Sequence, residues 1–433
     1  MMLPPDHPSR LSLANEVHAR PSQPLDTPSR ASYVAVLIAP QDRERELAHI
    51  SGLCESCAVE PPAAGATHFS ANLGAIRFKW ERHGEFSGYT MSAPSLTSQP
   101  FSDPVALQLP AGWLAGLPGT TIVAAHLELV AAEPAPPDAA MLARYFGGNI
   151  VVGGEVAGGA GLAYTDFRIH PDGFGRFLVC NRSLTLRQAG RTAQRLFEIE
   201  AYRMMALLAL PLARSLGPRI STIEGKLAEL TSRIAVEGGD DESLLHDLTR
   251  LAAEIESSLS TSQFRFGACR AYDQLVTTRI RELREIRVPG VEPIEEFMAR
   301  RLAPAVATCA TASKRLHGLS ERVAQASALL STRVDIASER QNQALLASMD
   351  RRARLQLRLQ QTVEGLSVAA IVYYVAGLLG YLAKAGKAGG LAVHPDLVVG
   401  MGIPVVALFV ILAVRRARHR AHDADAVKGP PSS

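Results

Sequence analysis

The sequence contains few features that point to a particular chemistry. Its formal net charge is only +3 over 433 residues, so it lacks the concentrated basic face that nucleic-acid binding requires. The first ten residues contain three prolines and no apolar core, which excludes a secretory signal peptide. Five cysteines lie too irregularly for a disulfide framework, and this favours a reducing compartment. They are Cys54, Cys57, Cys180, Cys269 and Cys309.

Sequence signatures of enzymes are also missing. Cys54 and Cys57 have the spacing of a redox or zinc pair, but no second such pair completes four ligands. Glycines 153–161 follow a predicted strand without the Lys-Ser/Thr of a phosphate-binding loop, so they indicate a hairpin. We therefore predict no cofactor and favour a role other than catalysis, with the identity of any bound metal left open.

Two uncharged apolar runs lie near the C-terminus, Leu366 to Ala383 and Leu397 to Val414, each 18 residues long. Such a run is just long enough to cross a hydrocarbon core of about 30 Å as a helix. The glycine-rich segment 384–396 between them predicts a turn. The sequence thus predicts a C-terminal two-helix transmembrane hairpin over residues 366–414, with a pair of buried core helices as the alternative.

Basic residues predict the orientation of this hairpin. Arginines precede the first run and follow the second, whereas segment 384–396 contains only Lys384 and Lys387. The positive-inside rule then places both termini in the cytoplasm of a bacterium, with 384–396 outside the inner membrane. The lipid bilayer, including its anionic lipids, is the predicted partner. These arginines are Arg351, Arg352, Arg354, Arg358, Arg415, Arg416, Arg418 and Arg420.

The first apolar run contains small and aromatic residues that suit either of two roles. Tyr373, Tyr374, Gly377 and Gly380 could let helices approach closely. Alternatively, glycine backbone and tyrosine hydroxyls could line a pore for an ion such as a divalent cation. The runs contain no ionisable side chain other than tyrosine, so the sequence offers no support for a proton relay or a charged substrate site inside the membrane.

Residues 185–365 form a helical middle. Ile220, Ile223, Leu227, Leu230 and Ile234 step by three and four, which predicts a coiled-coil seam. A last helix running from Pro304 to Ala383 would be a stalk on the order of 120 Å long. Its seam is poor in large apolar residues, so we expect packing against neighbouring helices or against copies of the chain.

Residues 31–184 predict an α+β cytoplasmic domain. Short β-rich runs alternate there with turn signals, and we expect two helices, over 42–57 and 137–146. Residues 1–30 should be irregular, and 415–433 should form a basic and then disordered cytoplasmic tail. The predicted strands are 33–39, 75–81, 86–91, 121–130, 149–155, 163–170 and 176–180.

Two polar groups of residues are candidate sites. Asn15, Glu16, His18 and Arg20 could supply a metal ligand, a base and an anion clamp, although on a helix Glu16 and Arg20 would form an ordinary ion pair. Asp166, Arg168 and His170, followed by Asp172, alternate along a predicted strand. One face of that strand could then hold a cation or a phosphate, or could simply be solvated.

Four segments together resemble a bacterial membrane-anchored family known as domain of unknown function 3422. They are His7-Pro-Ser-Arg10, Asn15-Glu-Val-His-Ala-Arg-Pro21, Tyr164-Thr-Asp-Phe-Arg-Ile-His170 and the helix from Arg191 to Pro211. The resemblance covers nearly the whole chain and implies membrane topology, but it supplies no catalytic residues.

The order of the predicted elements is also similar to that of CorA-type divalent-cation channels. Those channels have Gly-Met-Asn after their first span, whereas this chain has Gly380-Tyr-Leu-Ala-Lys384. The likeness is therefore one of architecture. The sequence favours a homo-oligomeric membrane protein with a cytoplasmic sensing or partner-binding domain, with a CorA-like ion channel or transporter as the alternative.

Overall fold

The structure, a computed structural model, describes residues 4–16, 21–97, 99–132, 137–236, 240–389 and 394–426. Within these ranges the side chains of Ser12, Asn15, Glu16 and residues 417–426 are not described. The chain divides into two compact units, Met1–Leu330 and Ser331–Ser433.

Among the described residues, the first unit contains one eight-stranded sheet. The strands are β1 (Ser29–Leu37), β2 (His68–Leu73), β3 (Ile76–Arg82), β4 (Phe86–Pro94), β5 (Thr120–Ala131), β6 (Val152–Val156), β7 (Gly161–Thr165) and β8 (Gly175–Asn181). Their order across the sheet is β2-β3-β4-β1-β5-β8-β7-β6. Neighbouring strands are antiparallel except β5 and β8, which are parallel.

The sheet confirms the α+β class, with two differences from the predicted strands. Strand β2 was not expected, because His68-Phe-Ser-Ala-Asn-Leu73 has few large apolar or β-branched residues. The strand predicted over 163–170 was wrong at its end. Strand β7 stops at Thr165, and Phe167 adopts a φ of 49°, which extended backbone does not allow.

The described helices are mostly in the second half of the chain. They are α1 (Arg10–Glu16), α2 (Arg43–Ser56), α3 (Ala139–Phe146), α4 (Leu186–Leu207), α5 (Ala209–Ile234), α6 (Asp241–Leu283), α7 (Ile294–Arg301), α8 (Ala303–Ala388) and α9 (Pro395–Ala426). The seam residues Ile220, Ile223, Leu227 and Leu230 of α5 are buried, as their spacing predicts. The helix expected to stop at Pro211 ends earlier, at Leu207. Pro211 lies in the first turn of α5, where a missing N–H costs no hydrogen bond.

Helix α4 covers one face of the sheet. Tyr33 of β1 stacks on Phe197 of α4 with ring centroids 5.0 Å apart, and both belong to the largest apolar cluster, which continues into α5, α6 and the first part of α8. The chain before β1 lies so close to α4 that a Cβ on Gly190 would collide with the carbonyl oxygen of Gln23. The sheet and the long helices therefore share one core.

Two smaller clusters cover the opposite face of the sheet. One packs against α2 and contains Trp80, Tyr89 and Trp113, while the other packs against α3 and contains Phe146 and Leu178. Glu46 of α2 is fully buried against β3 and β4, and its carboxylate accepts hydrogen bonds from Trp80 Nε1 at 2.7 Å and from the Tyr89 hydroxyl at 2.8 Å.

The chain between α6 and α7 pairs with the edge strand β6. Glu155 N donates to the carbonyl of Ile286 at 2.9 Å and Ile286 N donates back at 2.8 Å, while Gly153 N donates to the carbonyl of Glu292 at 2.8 Å. These bonds cover an edge that would otherwise expose unpaired backbone groups. They also join the helical middle to the far side of the sheet.

The second unit contains the later part of α8 and helix α9. The two helices contact each other, because a Cβ on Gly380 would lie 3.3 Å from Val399 and one on Gly402 would lie 3.3 Å from Leu379. Helix α8 continues to Ala388, so the turn predicted from residue 384 begins later. The Ala and Lys residues there favour helix. Residues 390–393 lie outside the described part of the chain.

Candidate functional site

The loop between β7 and β8 contains a buried polar group. His170 Nε2 lies 2.9 Å from Asp166 Oδ2, and Asn149 donates a hydrogen bond to the same oxygen at 2.8 Å. The other oxygen, Oδ1, accepts from the backbone N–H of Arg168 at 3.2 Å. The Asp166 carboxylate thus has three hydrogen-bond partners, and these bonds fix the conformation of the loop that follows β7.

Of the predicted set, Asp166 and His170 come together and Arg168 does not join them. The side chain of Arg168 is exposed, because the backbone turns at Phe167 and no longer alternates between two faces. The expected single face of four polar residues was therefore wrong. Asp172 lies further along the loop, where its carboxylate is 3.6 Å from a guanidinium nitrogen of Arg176.

The same loop contacts a second polar group on the sheet. The carbonyl of Phe174 accepts a hydrogen bond from the backbone N–H of His170. The Phe174 ring stacks on the ring of His126, with centroids 3.9 Å apart. His126 lies on β5 opposite Ser32 of β1, and its Nδ1 is 2.9 Å from the Ser32 hydroxyl. Burial lowers the pKa of His126 to about 4, so the ring is neutral at physiological pH.

Glu128 follows His126 on the same face of β5. It accepts a hydrogen bond from the backbone N–H of Phe101 at 2.6 Å and another from the hydroxyl of Tyr145. Burial raises the pKa of this carboxyl, while those two hydrogen bonds and the nearby Arg30 and Arg176 act in the opposite direction. The Glu128 carboxylate thus lies near the positive charges of Arg30 and Arg176.

The two arginines reach from this group toward the surface. Arg30 pairs with Asp103 at 2.9 Å. Arg176 donates to the carbonyl of Tyr145 at 2.9 Å, and its guanidinium lies 5.0 Å from the ring centre of Phe101. We call the set Arg30, Ser32, His126, Glu128 and Arg176 the sheet polar cluster. It lies between the two apolar clusters on that face.

The model of a protein family of unknown function, DUF3422, matches residues 5–421. The chain belongs to the DUF3422 family. This confirms the resemblance based on the four segments. Comparison of this DUF3422 protein with curated proteins and with solved structures finds no match. Residue roles therefore rest on geometry alone, and the comparisons lend no support to the likeness to CorA-type channels.

The other predicted site of this DUF3422 protein falls largely outside the described residues. Asn15 and Glu16 lie in α1, but their side chains are not described, and His18 and Arg20 are outside the described ranges altogether. Across the part of the chain that is described, no three His, Cys, Asp or Glu side chains are grouped so that they could hold a metal ion.

The predicted pore or packing residues have different surroundings. Tyr373 and Tyr374 are exposed, and their rings touch edge to face with centroids 5.9 Å apart. Gly380 lies against α9, whereas a Cβ on Gly377 would meet nothing within 4 Å. Gly380 thus lies at a contact between α8 and α9.

Sequence reasoning about this DUF3422 protein missed the sheet polar cluster. A usable signal was present, because His126 and Glu128 occupy alternate positions in the strongly apolar run of β5. Polar residues inside a strand whose neighbours are buried must find partners. Arg30 and Arg176 could not be joined to them without knowing that β1 and β8 flank β5.

Proposed function

We propose that this protein is a homo-oligomer anchored in the bacterial inner membrane by a hairpin of α8 and α9, with the first unit acting as a cytoplasmic sensing or partner-binding domain. The observation that carries the proposal is the exposure of two apolar helices. Both are long and apolar enough to span a membrane, and their most apolar windows are 6% and 0% buried. A core helix of a soluble protein would be mostly buried.

The size of the exposed apolar surface supports anchoring. Leu366, Tyr373 and Phe409 are each about three-quarters exposed, and their neighbours are similar. Each large apolar side chain gains about 1.5–3 kcal/mol when it leaves water. A lipid bilayer supplies that environment along the whole length of both helices.

Charge distribution supports the orientation. The described arginines Arg351, Arg352, Arg354 and Arg358 precede the exposed apolar part of α8, and Arg415 and Arg416 follow that of α9. By the positive-inside rule, this distribution supports a cytoplasmic position for the first unit. All five cysteines are free, which fits a reducing compartment.

Self-association is supported by the part of α8 between the first unit and the apolar run. Its side chains over 331–365 are almost entirely exposed, including Leu346, Met349 and Leu357. A helix with this many unburied apolar residues is stabilised by packing against other helices. Copies of the chain would supply them in a coiled-coil stalk.

Anchoring and topology are tested in the native host. The full chain should remain in the membrane pellet after extraction with alkaline carbonate. Alkaline phosphatase inserted after residue 392 should be active outside, and a fluorescent protein fused after Ser433 should fluoresce inside. Release by carbonate would overturn anchoring, and the opposite reporter pattern would overturn the orientation.

Helix pairing and oligomerisation are tested in the same membranes. Gly380→Ile should disturb the α8 and α9 contact at Val399 and lower the amount of folded protein, whereas Gly377→Ile, with open space around it, should not. Chemical cross-linking of inside-out vesicles should trap a species larger than the monomer. Equal behaviour of both variants would contradict the hairpin, and cross-linking that traps only monomer would contradict the oligomer.

A further inference from the structure

The sheet polar cluster contains three buried nitrogen atoms that lack a hydrogen-bond partner. They are Arg30 Nε, His126 Nε2 and Arg176 Nε, and none of them has an acceptor among the described residues. Buried polar atoms are nearly always paired, because a donor that leaves water without gaining an acceptor loses the hydrogen bond it made to water. Three such atoms in one small region need a common explanation.

Strand register brings the three residues together. His126 of β5 lies opposite Ser32 of β1 on one side and opposite Arg176 of β8 on the other. Arg30 lies opposite Glu128, two residues along from His126 and on the same face. The unpaired atoms therefore belong to adjacent positions of three neighbouring strands, with side chains on one face of the sheet.

All three atoms are donors. Ser32 is fully buried, its Oγ accepts from the backbone N–H of Ala106 at 3.1 Å, and among the described residues its hydroxyl hydrogen has no acceptor other than His126 Nδ1. Nδ1 is then an acceptor, and the neutral ring carries its hydrogen on Nε2. With the Nε–H groups of Arg30 and Arg176, the cluster presents three N–H donors and two fixed positive charges.

Two aspartates at the surface partly satisfy the arginines. Asp103, with a side chain 49% exposed, pairs with Arg30, and the exposed Asp172 pairs with Arg176 at 3.6 Å. These carboxylates occupy the outer nitrogens and leave both Nε atoms unpaired. An oxygen-rich anion from outside could take their place and also reach the inner donors.

We propose that Arg30, His126 and Arg176 bind a small oxyanion, a carboxylate or a phosphate, which replaces Asp103 and Asp172 as the partner of the two arginines. Glu128 lies close by and opposes an anion. Its carboxylate accepts hydrogen bonds from Phe101 N and the Tyr145 hydroxyl, and the two positive charges of Arg30 and Arg176 exceed its single negative charge once Asp103 and Asp172 are displaced. The site deepens the proposed function by identifying the chemical class of the signal, and it rests on that function for its cytoplasmic setting.

Binding would also change the cover of the cluster. Phe101 lies over Arg176, is bonded through its N–H to Glu128, and has a φ of 57°, which is unfavourable for a residue with a side chain. It is two residues from Asp103, whose carboxylate the ligand displaces from Arg30. Displacement of Asp103 would remove one of the contacts that hold segment 99–103 over the cluster.

The test uses the full chain purified in detergent, titrated calorimetrically with inorganic phosphate and, separately, with succinate. We expect saturable binding of at least one probe, and the stronger probe identifies the source of the oxyanion. Arg30→Gln and Arg176→Gln should each weaken binding about tenfold or more, because each removes a charge-assisted hydrogen bond. Arg182→Gln is the matched control, since Arg182 forms an ion pair of 2.7 Å with Glu155 and is not part of the proposed site.

Asp103→Asn provides a second measurement that does not depend on the arginine variants folding. Removing the competing carboxylate at an exposed position should tighten binding. Unchanged affinity in Asp103→Asn, or absence of saturable binding of either probe at millimolar concentration, would overturn the site. Carbonate extraction of the same preparations reports anchoring separately, so failure of the anion site and failure of the proposed membrane function can be told apart.

Discussion

Acidification should destabilise the first unit through His126. The folded protein favours the neutral ring, because the ring is buried and its Nδ1 accepts a hydrogen bond from Ser32. Protonation of Nδ1 would remove that acceptor and place a positive charge near Arg176. In the unfolded chain the ring meets water and takes up a proton at its ordinary pKa.

The expected magnitude follows from the two pKa values. Burial lowers the pKa of His126 from 6.5 to about 4 in the folded protein. At 1.36 kcal/mol per pKa unit, this difference corresponds to about 3 kcal/mol of unfolding free energy. That stability is fully present above pH 6.5, is lost as the pH falls toward 4, and does not change further below it.

Tryptophan fluorescence isolates this unit in the full chain. The sequence contains two tryptophans, and both Trp80 and Trp113 are buried in the core of the sheet. Denaturant unfolding of wild type and His126→Gln should be followed from pH 7 to pH 4 in buffers without phosphate or carboxylate, because a bound oxyanion would favour the protonated ring. Wild type should lose about 3 kcal/mol more than the variant. A constant difference between the two proteins over this range would refute the reasoning.

Two further substitutions, each with a control variant, test the packing around the sheet. Gly190→Ala should lower the free energy of unfolding, followed by tryptophan fluorescence, by several kcal/mol, because a Cβ there collides with the carbonyl oxygen of Gln23. Gly217→Ala on α5, where a Cβ meets nothing, should be neutral or stabilising by up to about 1 kcal/mol, and equal effects would contradict the close approach. Glu46→Ala should cost about 3–5 kcal/mol, because its buried donors would lose their acceptor. Glu44→Ala, on the exposed side of the same helix, should lower the unfolding free energy much less. A similarly small loss for Glu46→Ala would show that water replaces the carboxylate.

Much of the fold follows from local patterns. The spacing of Ile220, Ile223, Leu227 and Leu230 identifies the buried face of α5, because a helix repeats every 3.6 residues. The two apolar helices follow from length and composition, since few other structures use such runs. Strand β2 was not predicted, because its residues have little intrinsic preference for a strand. Its pairing with β3 stabilises it instead.

The candidate site shows what local patterns cannot specify. The alternation of Asp166, Arg168 and His170 predicts a strand, but Phe167 turns the backbone, and Asp166 and His170 meet around Asn149, 17 residues before Asp166. Register between strands distant in sequence decides which polar side chains become neighbours.

The sequence by itself determined the membership of the family, the α+β class of the first part and the position of the two apolar helices. Each of these depends on composition or on a short repeat that neighbouring residues carry. Only the tertiary structure placed Arg30, His126 and Arg176 on one sheet face, because β1, β5 and β8 become neighbours through long connections. It also united the sheet with the long helices, since the contact of Tyr33 with Phe197 joins residues 164 positions apart.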